Sequence, residues 1–261
     1  MTTLAAALAV AAALIAGGPG PGLIVRGGDP GRGLLVNVTI GARPFDPPDP
    51  ARPTVVFVHG FNPAPRIVHF RMAERLAASI ARRGGPPTNV LGWDWNAATF
   101  DSLRPGVNSA NAVHQGHALA AALLARGIDP ARSHLIGHSA GGMVATSAAW
   151  VFAARHGRPP AQLTLLDPAT FYHEVIFERL NAGALAPLVE NYWSPGPSAY
   201  GNEVRLPGVR DVRVDGRAPF SGVVCPLRSD HISLVEWYLA TVESPSRPLG
   251  YNTSRLVTVA R

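Results

Sequence analysis

Short apolar runs rich in Val, Ile and Leu alternate with longer stretches of helical periodicity along most of the chain. Such runs, bounded by Gly, Pro or polar residues, predict buried strands. The predicted strands span 33–41, 54–60, 89–95, 134–139, 163–169, 188–193 and 209–216, and the predicted helices span 67–83, 109–127, 140–157 and 233–242. This alternation predicts an α/β fold with a mostly parallel central sheet and helices on both faces.

The first 22 residues differ in kind from the rest. Leu4 to Ala16 form an apolar run of thirteen residues, which is shorter than the roughly twenty that span a bilayer. The run and the following Gly17-Gly18 are typical of a secretory signal and its cleavage site, although no Lys or Arg precedes the run. We expect residues 1–22 to be a signal peptide or N-terminal anchor with a spacer, residues 23–261 to form one domain, and the protein to be secreted or in the cell envelope.

Composition excludes several classes of protein. With 47% apolar and 15% charged residues the chain is globular rather than disordered. The net charge is +6, yet all 23 cationic residues are scattered Arg, and a nucleic-acid surface would need a stripe or patch. Cys225 is the single cysteine, so no intrachain disulfide forms. His114 and His117 lack a nearby carboxylate, and no metal or organic cofactor is expected.

A serine stands between two glycines in the motif Gly137-His138-Ser139-Ala140-Gly141. The motif joins a predicted strand to a predicted helix, and such a sharp turn holds the serine in a strained conformation that lifts its hydroxyl out of the sheet toward solvent. Small neighbours leave room for this turn. Ser139 is therefore the candidate nucleophile, and the N–H of Ala140 at the helix start can bind negative charge.

A serine nucleophile needs an imidazole base, and in such sheets the chain order is Ser, then Asp or Glu, then His. Three histidines follow Ser139. His156 lies several turns along the helix after the serine, and His173 follows the candidate acid too closely. His231 comes after the last predicted strand and just before the last helix, so it is the candidate base.

Two aspartates end strand-like runs and could orient the base. Asp167 ends LTLLD and precedes Pro168, and Asp215 ends VRVD. Asp167 follows the strand after the nucleophile's strand, which favours it over Asp215. The second oxyanion donor is expected from the loop after the strand TVVFV, where His59-Gly60-Phe61 stands. We assign this role to the N–H of Phe61 and expect His59 to shape the loop.

Four blocks together resemble the family of pancreatic and lipoprotein lipases within the α/β-hydrolase superfamily. They are VFVHGF at 56–61, GWDWNA at 92–97, HLIGHSAGGMVA at 134–145 and LTLLDPA at 163–169. In that family the acid lies in an LDPA block, so the resemblance implies Asp167. The stretch with Cys225, LRS at 227–229 and His231 is similar but rearranged. The family's lid disulfide cannot form with one cysteine, and the segment 171–230 is short for a large lid.

These observations predict a serine hydrolase of the α/β-hydrolase fold that cleaves carboxylic esters through an acyl-enzyme intermediate, with catalytic Ser139, Asp167 and His231. The expected partner is a small-molecule or lipid ester, with contact to a lipid surface possible and no nucleic acid. Tyr172, Trp193 and Tyr200 are candidate pocket walls. The alternatives are a hydrolase of another acyl substrate, such as an amide or thioester, and a non-catalytic binding protein of the same fold.

Overall fold

The computed structural model describes residues 33–61, 67–100, 105–169, 174–195, 205–214, 230–244 and 249–258. Within these ranges seven strands form one sheet. They are β1 (Leu34–Asn37), β2 (Thr54–Val58), β3 (Asn89–Asp94), β4 (Ser133–His138), β5 (Gln162–Leu166), β6 (Val189–Trp193) and β7 (Val209–Arg213).

Seven α-helices lie in the same ranges. They are α1 (Ile67–Arg83), α2 (Asn96–Phe100), α3 (Pro105–Leu124), α4 (Gly141–Trp150), α5 (Glu174–Arg179), α6 (Asp230–Glu243) and α7 (Arg255–Thr258). One π-helical turn, Val151–Arg155, continues α4, and a 3₁₀ turn, Gly250–Thr253, precedes α7.

The strands are ordered β1-β3-β2-β4-β5-β6-β7. β1 pairs antiparallel with β3, and every other pair is parallel. β2, β4 and β5 are therefore neighbours with their carboxyl ends at the same edge of the sheet. Because His59, Ser139 and Asp167 directly follow these three strands, the topology brings them to one edge.

Alternate side chains of the buried strands enter two separate apolar clusters. On one face, strand residues such as Val56 and Leu135 pack against α3 and α4. On the other face, residues such as Val55 and Ile136 pack against α1 and α6. Helices therefore cover both faces of a mostly parallel sheet, which confirms the predicted α/β fold.

Several boundaries differ from the predicted ones. The first predicted strand, 33–41, ends at Asn37, whose side chain accepts a hydrogen bond from the N–H of Thr39 in a turn. The predicted helix 109–127 begins four residues earlier, at Pro105, a residue favoured at the first helical position. The segment after Leu249, for which no element is predicted, forms the 3₁₀ turn and α7.

Candidate active site

The turn between β4 and α4 holds Ser139 in the left-handed region, with φ of 55°. Its N–H still donates to the carbonyl of Leu166 on β5, at 3.0 Å, so it continues the sheet ladder. Its carbonyl already accepts from the N–H of Gly142, at 2.9 Å, as α4 begins. A non-glycine residue in this region is strained, and such strain persists only where the surroundings enforce it.

Three glycines make this turn possible, because a side chain at any of them would collide with backbone or with the serine. A Cβ on Gly137 would lie 2.5 Å from the carbonyl oxygen of Gly141. A Cβ on Gly141 would lie 2.4 Å from the carbonyl oxygens of Val58 and His59. A Cβ on Gly60 would lie 2.5 Å from the Cβ of Ser139. The Gly-x-Ser-x-Gly pattern is thus required by close packing between the turn and the end of β2.

Ser139 is buried as a residue, with 7% of its surface exposed. Gly60, in the loop after β2, lies beside it. That the turn lifts the hydroxyl out of the sheet toward solvent stays a prediction.

Asp167 and His231 are in direct contact although 64 residues separate them. Nδ1 of His231 lies 2.5 Å from Oδ2 of Asp167. Both residues are buried, with 8% of the surface of His231 and 0% of that of Asp167 exposed. Because a carboxylate accepts and Nδ1 donates, Nε2 of a neutral His231 is left as the proton acceptor.

A backbone hydrogen bond to β6 fixes the position of Asp167 at the end of β5. Its N–H donates to the carbonyl of Tyr192 on β6, at 2.8 Å, and its φ is 42°. The chain bends at Asp167, just before Pro168. Asp215, the alternative acid, lies outside the described residues. The contact with His231 therefore supports Asp167 and does not test Asp215.

His231 occupies the first turn of α6, and its ring lies against the ring of His138. The two ring centroids are 4.4 Å apart, and His138 directly precedes Ser139 in the chain. The imidazole of His231 therefore lies at the edge of the sheet that carries Ser139. Asp167 and His231 are in contact, and Ser139 follows the neighbouring strand at the same edge of the sheet.

The candidate oxyanion donors flank the serine. Ala140 is buried and stands at the N-terminus of α4, and Phe61 follows Gly60 in the loop after β2. Phe61 is 41% exposed. Their roles as donors stay a prediction.

His59 binds the loop that leads to Phe61. Its Nδ1–H donates to the carbonyl of Gly60, at 2.7 Å, and its Nε2 accepts from the N–H of Trp95, at 3.3 Å. The indole N–H of Trp95 donates back to the carbonyl of His59, at 2.8 Å. These contacts agree with the expectation that His59 shapes the loop.

No role is predicted for Trp95 from the sequence, although the residue lies in the block GWDWNA. The residue is almost fully buried, and its ring stacks on His59 at a centroid distance of 5.9 Å. The sequence signal that indicates a role for Trp95 is its position directly after β3, the strand next to β2. A residue there can reach the loop that follows β2.

Other candidates have structural roles or lie outside the described residues. Trp193 ends β6 with the guanidinium of Arg213 over its ring, 5.9 Å from the centroid. His117 stacks on Trp150, at 5.8 Å, and burial lowers its pKa to about 4. The remaining candidates, which lie outside the described residues, are Tyr172, Tyr200, Cys225 and the LRS stretch at 227–229.

None of the described helices is both long enough and apolar enough to span a bilayer. In the same part of the chain no group of His, Cys, Asp and Glu side chains could hold a metal ion.

Neither a protein-family model nor a curated protein matches the chain. It is similar to the solved structure of a thermophilic esterase from the Planctomycetes species Thermogutta terrifontis, with 16% identity and a TM-score of 0.44, over 82% of this chain and 86% of that chain. It is also similar to an esterase from the archaeon Pyrobaculum calidifontis, with 17% identity and a TM-score of 0.44, over 93% of this chain and 91% of that chain. A thioesterase from Streptomyces coelicolor is also similar (18% identity, TM-score 0.41, 66% and 81%). The strand order and register of the chain itself carry the fold assignment.

Proposed function

We propose that this chain is a serine hydrolase that cleaves carboxylic esters through an acyl-enzyme intermediate. The observation that carries the proposal is the 2.5 Å contact between His231 and Asp167 at the sheet edge that holds the strained Ser139. A nucleophile, a base and a group that orients the base are the parts such chemistry needs.

In the first half of the reaction, Oγ of Ser139 attacks the acyl carbon of the ester while Nε2 of His231 takes the hydroxyl proton. The carbonyl π bond opens to an oxyanion. When that oxyanion collapses, the bond to the leaving alcohol breaks and His231 gives its proton to the departing oxygen. The serine is then acylated.

In the second half, water replaces the alcohol. His231 takes a proton from the water as it attacks the acyl carbon, and returns a proton to Oγ of Ser139 as the acid leaves. Asp167 keeps its charge throughout and stabilises the imidazolium that forms twice per turnover.

The oxyanion that forms in both halves needs donors fixed in advance. We assign this role to the N–H groups of Ala140 and Phe61, because both follow the ends of neighbouring strands beside the serine. The contacts of His59 with Gly60 and Trp95 hold the Phe61 loop before substrate arrives. Loss of one such donor typically lowers kcat about a hundred- to a thousandfold.

The proposal is tested by covalent labelling with a fluorophosphonate, followed by peptide mapping and by turnover of p-nitrophenyl esters. The wild-type chain should carry one adduct on the peptide that contains Ser139. Ser139→Ala should abolish both labelling and turnover. A folded wild-type chain that never labels and never turns over esters would contradict the proposal and favour a non-catalytic binding protein.

Ser147→Ala is the matched control. Ser147 is another buried serine, inside the helix α4 that follows Ser139, and no described residue forms a hydrogen bond with its Oγ. Removing this hydroxyl should leave labelling and turnover within twofold of wild type. If Ser147→Ala abolished labelling as fully as Ser139→Ala, general loss of structure would explain both.

We further propose that the substrates are small-molecule or lipid esters and that the chain is related to the pancreatic and lipoprotein lipases. Support comes from the four sequence blocks, which contain Phe61, Trp95, Ser139 and Asp167. Measuring kcat/KM across p-nitrophenyl acetate to palmitate separates the possibilities. A maximum at long acyl chains supports a lipid substrate, and a maximum at acetate or butyrate supports a small soluble ester.

We also propose export, on the strength of the apolar run from Leu4 to Ala16 and the small residues after it. When the full chain is expressed in a bacterial host, the periplasmic or secreted form should lack residues near 1–18 by mass spectrometry. A mature protein that keeps Met1 and stays in the cytoplasm would contradict this.

A further inference from the structure

The base is bound to the strand that carries the nucleophile through a second histidine. Nε2 of His138 lies 3.2 Å from the carbonyl oxygen of His231. The ring of His138 also lies against the ring of His231, at 4.4 Å between centroids and an angle of 37°. Both residues are buried.

We propose that His138 is a positioning residue for the base, and that its hydrogen bond to the His231 carbonyl holds the base at a fixed distance from Ser139. The inference rests on the proposed function and adds to it a residue outside the predicted triad. In this proposal His138 acts through His231 and takes no part in proton transfer itself.

The direction of this hydrogen bond follows from the chemistry of the two groups. A carbonyl oxygen can only accept, so Nε2 of His138 carries a proton and donates it. The side chain must therefore present an N–H at this place. A residue without a donor there leaves the carbonyl of His231 without this partner.

The two contacts of His231 restrain different motions. The contact between Nδ1 and Asp167 sets the rotation and tautomer of the imidazole. The contact from His138 restrains the backbone of His231, and so the first turn of α6, against the end of β4. Because Ser139 is the next residue after His138, the nucleophile and the backbone of the base are attached to the same strand.

That strand is a rigid place of attachment. β4 lies inside the sheet, paired in parallel with both β2 and β5, and all six of its residues are buried. The first turn of a helix is by comparison easily displaced. A misplacement of about 1 Å in a catalytic group can lower the rate about a hundredfold.

Two substitutions separate the hydrogen bond from the ring contact. His138→Gln places an amide N–H where Nε2 stands but removes the ring. His138→Phe keeps a ring of similar size and removes the donor. If the hydrogen bond carries the effect, His138→Phe should lower kcat for p-nitrophenyl butyrate tenfold to a hundredfold, with KM within twofold of wild type. His138→Gln should keep kcat within threefold.

His134→Phe is the matched control for loss of a buried histidine. His134 lies on the same strand and the same face, but its ring contacts Ser254 and Thr164 rather than His231. Its substitution should lower thermal stability while kcat per folded molecule stays within twofold. Rates are normalised to folded protein by circular dichroism, and His138→Leu serves as a second variant without a donor if His138→Phe fails to fold.

Equal kcat for wild type and the donor-free variants would overturn the inference, and so would a His138→Gln variant as impaired as His138→Phe. Fluorophosphonate labelling of wild type keeps this result apart from the proposed function. A labelled wild type with a fully active His138→Phe variant overturns only the role of His138. A wild type that neither labels nor turns over esters overturns both.

Discussion

Ser139 and Asp167 occupy the same position on neighbouring strands. Each is the first residue after its strand, each has a positive φ, and each still donates its N–H to the next strand of the sheet. The N–H keeps the residue in the ladder while the left-handed backbone turns the following chain away. Such strain costs about 1–3 kcal/mol per residue, so it is maintained here by the surrounding hydrogen bonds and close packing.

Strain at Ser139 predicts an unusual order of stability for two variants that both lack the hydroxyl. Ser139→Gly should be more stable than Ser139→Ala by about 0.5–1 kcal/mol, because the relief of left-handed strain, about 1–2 kcal/mol, exceeds the added entropy of the unfolded chain. Urea unfolding at pH 7 measures the difference.

The same pair of substitutions at Ser147 gives the control. Ser147 lies inside α4, where glycine is about 1 kcal/mol less favourable than alanine. Ser147→Gly should therefore be the less stable of that pair. If glycine is also the less stable choice at residue 139, the turn does not strain the serine.

The acid can be assigned by comparing two aspartates. Asp167→Asn should lower kcat/KM by about 10³- to 10⁴-fold, because an amide cannot hold the imidazole tautomer or stabilise the imidazolium. Asp215→Asn should change kcat/KM by less than threefold. Steady-state hydrolysis of p-nitrophenyl butyrate measures both, and a larger loss for Asp215→Asn would move the acid to that residue.

The two ends of the parallel strands have different roles. At the carboxyl ends of β2, β4 and β5 lies the candidate site. Nearer their amino ends, β4, β5 and β6 carry a buried polar network. Within it, Thr164 contacts His134 and Gln162, and the buried Glu190 accepts hydrogen bonds from Gln162 and Thr253. This network attaches the 3₁₀ turn Gly250–Thr253 to the sheet.

The network makes the fold sensitive to acid. Burial lowers the pKa of His134 to about 3, from an ordinary value near 6.5, so the folded state keeps this ring neutral. Because the folded state favours the neutral ring, His134 contributes to the free energy of unfolding. This contribution is fully present above pH 6.5 and is lost as the pH falls from 6.5 toward 3. The slope from this one group is at most about 1.4 kcal/mol per pH unit.

Urea unfolding of wild type and His134→Gln at pH 7, 6, 5 and 4 tests this directly. The variant should lose less stability than wild type between pH 6.5 and 4, because it has no ring to protonate. His156→Gln, which removes an exposed histidine, should follow the wild-type curve. Parallel curves for wild type and His134→Gln would show that His134 does not carry the effect.

For the molecule as a whole, stability comes from two apolar clusters on opposite faces of one sheet. Their described members run from Leu35 to Tyr251, with Leu256 packed against one cluster. Because every described strand contributes to this single sheet, we expect residues 23–261 to unfold as one unit.

Removal of residues 1–22 tests this domain assignment. A chain beginning at Leu23 should show one thermal unfolding transition and keep ester turnover within twofold of the full chain. Calorimetry and p-nitrophenyl butyrate hydrolysis measure both properties. Two resolved transitions, or an insoluble truncated chain, would contradict the assignment.

Sequence patterns predict elements that are determined locally. α1 matches its predicted span, 67–83, because its apolar periodicity is regular and Gly84-Gly85 ends it. The 3₁₀ turn Gly250–Thr253 could not be predicted, since it is held by distant partners such as the hydroxyl of Tyr192, 2.8 Å from the N–H of Gly250. Such contacts leave no local periodicity.

The same distinction applies to the site. The glycine pattern around Ser139 and the strand ends before it and before Asp167 are local, so their positions could be predicted. The burial of Ser139 and the anchoring of His231 by His138 depend on how the β2 loop and α6 pack over the edge of the sheet. Neither the burial of Ser139 nor the contact between His138 and His231 can be predicted from spacing along the chain.

A crystal structure of the chain with a phosphonate bound would show whether Ser139 and His231 act together. We expect phosphorus bonded to Oγ of Ser139, with Nε2 of His231 within about 3.2 Å of that oxygen. The phosphoryl oxygen should lie about 2.7–3.1 Å from the backbone nitrogens of Phe61 and Ala140. Phosphorus bonded to another residue, or an imidazole of His231 turned away from Ser139, would contradict this expectation.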